Sequence, residues 1–212
     1  MRMNMQVATR SGFIAVMLFV GMIVVLSPRA WAESNSASEL TRAFQSDLVD
    51  VMKVAEKLSV KERFDRLAPV VDRTFHLPLM TQISASSYWA KAAPDQRQSL
   101  VRAFRRMSIA TLATLFDGYS GESFAIDSEK PGPSKTTLVL TTLTKSDKST
   151  VAIAYVARQF KNAGWRLIDV IVDNGISELK VRRSEYALVL KKKGVGGLIE
   201  LLNGKADELI SG

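Results

Sequence analysis

The 212-residue chain has no cysteine and a single histidine, His76. Without cysteine there is no disulfide framework, no thiolate nucleophile and no cysteine-ligated zinc site. One imidazole cannot make a cluster of metal-binding histidines, and a serine–histidine–carboxylate triad would have to be built on His76 alone. Glycine (12) and proline (6) are scarce, which removes collagen-like and low-complexity architectures. Acidic residues are the minority, 21 against 29 Lys and Arg, for a formal net charge of +8. With 47% hydrophobic and 24% charged residues, the composition is globular, and the length supports a core that needs no staples.

Long apolar runs are also missing, apart from Gly12 to Leu26 near the start. Arg2 and Arg10 precede that run, Ser27-Pro28-Arg29 break it, and Ala30-Trp31-Ala32 follows. A basic segment, a short apolar stretch and a small-x-small triplet are the parts of a secretory signal peptide. The run falls short of the roughly 20 apolar residues of a membrane span. Residues 1–32 are therefore expected to be a cleaved leader, with an uncleaved N-terminal anchor as the alternative. The remaining 33–212, a single domain, would carry 26 basic and 21 acidic residues, net +5. Export makes nucleic-acid binding a poor explanation of the basic charge.

The exported part divides into a helical half and a strand half. Leu40, Phe44, Leu48, Val51, Ala55 and Leu58 recur at helical spacing. A second helix is expected from Lys61 to Phe75, with Pro69 inside it. Pro78 and Pro94 each suit a first helical turn, and the helix from Pro94 reaches about Phe116. Beyond Gly121 the period falls from 3.6 to 2. Strands are expected at Phe124–Asp127, Thr136–Thr144, Thr150–Phe160 and Trp165–Val172, joined by short polar turns as a four-stranded antiparallel meander. Ser177 then caps a helix from Glu178 to Lys193, ended by Gly194, and Gly197–Leu202 forms a last short helix. The expected class is α+β: N-terminal helices packed on a curved four-stranded antiparallel sheet, then C-terminal helices, a half-open cone around an apolar pocket.

Motifs for chemistry are few. Asn203-Gly204-Lys205 resembles the end of a phosphate-binding loop, but Ile199 stands where that motif needs glycine and Ala206 where it needs Ser or Thr. Gly194, Gly196 and Gly197 follow a helix, so a dinucleotide fingerprint fails. No pair of carboxylates stands out as acid and base. No cofactor and no metal site are expected. What is abundant is apolar volume. Phe75, Leu79, Met80, Ile83, Trp89, Phe104, Met107, Leu112, Leu115, Phe116 and Tyr119 offer it from helices, and Leu138, Leu140, Val151, Ile153, Tyr155, Leu167 and Ile171 from the sheet. Pattern alone does not separate the lining of a cavity from an ordinary core. Arg183 falls near the stripe of Leu179, Tyr186 and Leu190, where a charge needs a partner; Asp169, between Ile168 and Val170, is the expected one in a structural ion pair.

Several segments carry a resemblance: Asp50-Val51-Met52-Lys53, Arg63-Phe64-Asp65-Arg66-Leu67-Ala68-Pro69, Arg73-Thr74-Phe75, Trp89, Gln96-Arg97 and Ala103-Phe104-Arg105-Arg106-Met107. Phe116-Asp117-Gly118-Tyr119-Ser120-Gly121-Glu122, Gly164-Trp165-Arg166-Leu167-Ile168-Asp169-Val170, Gly175-Ile176-Ser177 and Arg183-Ser184-Glu185-Tyr186 continue it. In order and spacing these resemble the MlaC-type periplasmic lipid-binding proteins, the toluene-tolerance auxiliary family, and most closely its hopanoid-associated HpnM branch. The resemblance implies a non-catalytic periplasmic carrier of phospholipid or hopanoid between inner and outer membranes. It implies as partners a lipid ligand, an inner-membrane lipid transporter complex, an outer-membrane lipoprotein complex and transient membrane contact. The eighteen apolar residues named above become the expected lipid-binding set. Two positions depart from the family pattern: Ser86 stands where a glycine is usual, and His76 where the branch has an acidic residue. A secreted hydrolase using His76 and a membrane-tethered adaptor are the alternatives.

Overall fold

The computed structural model describes residues 36–173 and 175–211; the expected leader and its cleavage point lie outside them. Helix α1 (Ala37–Met52) begins where the Ser36 hydroxyl accepts the Glu39 N–H, and it buries Leu40, Phe44, Leu48 and Val51. A 3₁₀ turn, Ala55–Lys57, leads to α2 (Val60–Thr74). Ser59 and Glu62 close a capping box there, satisfying two of the helix's orphan N–H groups. The buried stripe of α2 is Arg63, Leu67, Val70, Val71 and Thr74. Pro69 lies on the exposed side, where the carbonyl it leaves without an N–H partner can be met by water.

After α3 (Leu77–Ala85) comes α4 (Ser87–Lys91), a short helix the pattern does not predict. The two join at Ser86, with φ 53° and ψ −135°. A Cβ is strained there and glycine is not, so the position where the family favours glycine is physically a glycine position. Ser86→Gly is expected to raise the free energy of unfolding by about 1 kcal/mol, strain relief outweighing the added freedom of the unfolded chain. A fall in the urea midpoint would contradict it.

Helix α5 (Pro94–Leu115) is the long central helix, and β1 (Ser123–Gly132), β2 (Thr136–Thr144), β3 (Thr150–Phe160) and β4 (Gly164–Val172) follow as antiparallel neighbours. A two-residue strand, β5 (Ile176–Ser177), adds to β4, so the sheet has five strands where four are expected. Strand β1 is also longer than its apolar stretch suggests and runs through Pro131. Pro131 is tolerated because β1 is an edge strand, where a missing N–H need break no ladder. The last helix, α6, spans Glu178–Ser211 and is interrupted at Gly194 (φ 63°, ψ −164°). Gly194 does break it, as expected, but the second segment continues to Ser211 and not to Leu202.

Helices α5, α6 and α2 pack on one another, and α1 lies against β1 to β4. Phe104, Leu100, Ile109, Leu198 and Leu202 are almost fully buried, as are Leu67 and Val71. The arginines of α5 staple this layer. Arg105 holds Asp72 of α2 through two bonds of 2.6 Å, and Arg106 pairs with Asp207 of α6. Arg73 of α2 pairs with Asp47 of α1. Three arginines of the basic excess, Arg73, Arg105 and Arg106, are thus occupied in bridging helices.

Candidate functional site

Between the helices and one face of the sheet lies a cavity of about 810 Å³. Phe44, Leu48 and Met52 of α1 line it, with Val71 of α2, Phe75, and Leu77 and Met80 of α3. Ser108, Thr111, Leu112 and Leu115 of α5 continue the wall. From the sheet come Phe124, Leu143, Val151, Ile153, Tyr155, Val170 and Val172. Register explains why these strand residues converge. Ile153 is opposite Thr141 and Val172, Tyr155 opposite Val139 and Val170, and Val151 opposite Leu143, itself opposite Phe124. Residues directly opposite share a face, so one apolar surface runs across four strands.

An aromatic cluster closes part of the wall. Phe44 meets Phe75 and Tyr155 edge-on, with centroids 5.1 and 6.0 Å apart. The Tyr155 phenol, hydrogen-bonded with Gln45, is pushed up to about 12 by burial and brings no charge at neutral pH. Polar lining is concentrated at Asp117, Gly118, Ser120, Glu122, Lys145, Asp173, Glu178 and Arg182. Leu115, Asp117, Ser120, Lys145 and Asp173 are exposed and mark the opening; Leu115, at 67% exposure, is an apolar side chain standing in water at that rim.

Of the expected lining, the structure places Phe75, Met80, Leu112, Leu115, Phe116, Val151, Ile153 and Tyr155 at the cavity. Leu138, Leu140 and Ile171 are corrections. Leu140 is opposite Ala154, which is opposite Ile171, and Leu138 is opposite Val156, so they lie on the other face. The in-phase residues of β2 are Val139, Thr141 and Leu143. Phe104 and Leu167 are core side chains, 1% and 0% exposed, the latter bridging to Phe75. Leu79, Ile83 and Met107 are half-buried outside the cavity lining. Trp89 carries the Arg97 guanidinium 5.7 Å over its ring, and Tyr119 is exposed beneath Lys53 Nζ at 5.9 Å. The sequence reading missed the α1 residues, because a regular amphipathic stripe gives no sign of ending at a void.

The expected Asp169–Arg183 ion pair is absent. Asp169 accepts from the Ser177 hydroxyl at 2.5 Å and from the N–H groups of Val170 and Leu179 at 2.8 and 3.1 Å. It therefore caps the start of α6 from β4, where negative charge is favoured. Arg183 is exposed and borders a separate cleft with Ser86, Ser87 and Lys180. Asp169→Ala is expected to cost about 2 kcal/mol through the lost charge-assisted bonds, whereas Arg183→Ala should stay within about 0.5 kcal/mol. Thermal melts of the two variants check both, and equal losses would restore the pair.

His76 also has structural employment. Its Nδ1 accepts the Leu79 N–H at 3.1 Å, capping α3, and its ring stacks on Phe160 at 4.1 Å. Burial, then the nearby Arg166 and Arg158, hold the imidazole below its ordinary value of 6.5. The folded state thus prefers the neutral ring. Its contribution to stability is complete above the unfolded value and is lost as pH falls through the folded one. His76→Asn keeps an N-cap acceptor without titrating. The wild type should lose more stability than this variant between about pH 7.5 and about pH 5 in denaturant titrations; parallel losses would contradict it.

Among the described residues, no group of three or more His, Asp or Glu could hold a metal ion, and no helix is long and apolar enough to cross a membrane. The family model described as MlaC protein matches residues 42–204. A solved phospholipid-binding protein from Ralstonia solanacearum, in complex with a phospholipid, is similar in structure with a TM-score of 0.72 and 21% identity. The match covers 82% of this chain and 98% of that one.

Proposed function

The chain belongs to the MlaC family, and from that premise we propose that it is a periplasmic carrier which holds the tails of a phospholipid or hopanoid in the cavity and moves the lipid between inner and outer membranes. The observation that carries the reading is the cavity itself, 810 Å³ with predominantly apolar walls. A dry cavity of about 150 Å³ takes one benzene, and on that scale there is room for on the order of 30 carbon atoms, about two acyl chains. A void of this size left dry would cost on the order of 20 kcal/mol at 24 cal/mol per Å³, more than a typical domain's whole stability. Because the cavity opens to solvent, water occupies it when no lipid is bound, and a hydrocarbon guest displaces that water from apolar walls. The phospholipid in the similar Ralstonia protein supports the same ligand class here.

The physics of transfer needs no catalytic residue. An acyl chain of about 16 carbons, at about 0.8 kcal/mol per CH₂, is worth on the order of 12 kcal/mol against water. Against a bilayer the gain nearly cancels, since the tail leaves hydrocarbon for hydrocarbon, so loading and release remain reversible. The basic–apolar–small leader supports export to the periplasm, and exposed Leu115 at the rim suits transient contact with a membrane. An inner-membrane transporter complex and an outer-membrane lipoprotein complex would be the two stations. His76, the base of the hydrolase reading, spends its acceptor nitrogen on the α3 cap, which favours the carrier reading.

The test is organic extraction and native mass spectrometry of protein purified from the periplasm of the expressing cells. One diacyl lipid or hopanoid per chain is expected. Folded protein that yields no lipid would overturn the reading.

A further inference from the structure

The cavity wall is not uniformly apolar where α5 faces α6. Ser108 and Arg182 both line it, and each has unused hydrogen-bonding capacity. Among the described residues, Ser108 Oγ is buried without a hydrogen-bond partner. Thr111 and Thr114, further along α5, donate to carbonyls one turn back, Met107 and Ala110; Ser108 does not use that outlet. A buried hydroxyl left so is destabilising, and a ligand oxygen would satisfy it.

Arg182 reaches from α6 to α5. Its guanidinium lies 5.5 Å over the ring of Phe104, one helical turn before Ser108 on the same side of α5. One of its nitrogens reaches the Tyr186 hydroxyl at 3.4 Å. None of its other N–H groups meets an acceptor among the described residues, and no carboxylate pairs with it. Glu178, one turn earlier on α6, borders the cavity too but forms no ion pair with Arg182. A guanidinium with unused N–H donors presents a planar fork that can receive an oxyanion through two bonds.

We propose that Arg182 and Ser108 form an oxyanion subsite in the cavity wall that receives the phosphate of the bound lipid and sets how deep the tails are inserted. The proposal rests on the lipid-carrier reading. It adds that binding is selective for the ligand's acidic group, which generic hydrocarbon walls cannot be.

The test compares probes with the same tails: dipalmitoyl phosphatidic acid, dipalmitoylglycerol and palmitate, each competing for the cavity of the purified protein by native mass spectrometry. Wild-type protein is expected to prefer phosphatidic acid over dipalmitoylglycerol by about 10- to 100-fold, the range of a charge-assisted hydrogen bond. Arg182→Gln should abolish that preference, with phosphatidic acid losing far more affinity than dipalmitoylglycerol, and Ser108→Ala should reduce it several-fold. Arg182→Lys retains the charge but not the fork, and it serves if the glutamine variant folds poorly; a several-fold loss is expected. Sensitivity of phosphatidic acid alone assigns phosphate, and sensitivity of palmitate as well widens the subsite to carboxylates. An unchanged preference in Arg182→Gln, or equal losses for charged and neutral probes, overturns the subsite and leaves the carrier reading standing. Wild-type protein that binds none of the three overturns both.

Discussion

Replacing Arg63 with methionine is expected to lower the free energy of unfolding by about 3–5 kcal/mol, although no carboxylate among the described residues pairs with it. Arg63 is 8% exposed. Its Nε donates to the Ala113 carbonyl at 2.7 Å, and Nη1 donates to those of Ala55 and Leu58 at 3.0 and 2.8 Å. Ala113 lies in the last turn of α5, where carbonyls lack helical partners and the dipole presents partial negative charge. One side chain therefore joins α2, the 3₁₀ turn and the end of α5 next to the cavity mouth. Methionine would fill much of the space but withdraw a charged donor from three carbonyls, of which that of Ala55 still accepts the Leu58 N–H. At roughly 2–4 °C per kcal/mol for a domain of this size, the melting temperature should drop by on the order of 10 °C. Arg63→Lys should fall between, because an ammonium cannot reproduce a planar fork that serves carbonyls on separate elements. A melting temperature within about 2 °C of wild type would show that the network contributes little.

Arg63 also shows the limit of what was legible in the sequence. It is in phase with Leu67, Val70, Val71 and Thr74, but the apolar pattern alone points inward through Phe64, and a charged side chain gives no sign of burial. Nor could its set of partners be read, since backbone carbonyls leave no mark in a sequence. The sheet was legible in part. Thr150–Phe160 alternates cleanly, and Val151, Ile153 and Tyr155 do face the cavity. In β2, Leu138, Val139 and Leu140 are all apolar, and a period of two cannot choose between faces when both carry apolar side chains. Pairing with β3 decides it. Helical residues posed a third problem. Phe104 and Leu112 belong to the same stripe of α5, yet α6 covers the first and the cavity exposes the second. A void is a property of what does not meet, and only the assembled elements reveal it.

A charge placed in the middle of that void should remove its function while sparing the fold. Ile153 is the suitable position, since it lines the cavity between Thr141 and Val172 on the sheet and is only half-buried. With water in the open cavity, a glutamate there remains solvated and the strand keeps its pairing. With hydrocarbon in the cavity, the carboxylate must lose that water, at a cost of several kcal/mol. Ile153→Glu is therefore expected to reduce lipid affinity by at least about 100-fold and to yield nearly lipid-free protein on extraction, with far-ultraviolet circular dichroism unchanged. Ile153→Trp tests volume without charge: it should lower the lipid content by less and favour ligands with shorter tails. If Ile153→Glu retains one lipid per chain at wild-type thermal stability, the tails do not lie against this face of the sheet. The carrier would then have to hold its guest somewhere other than the cavity.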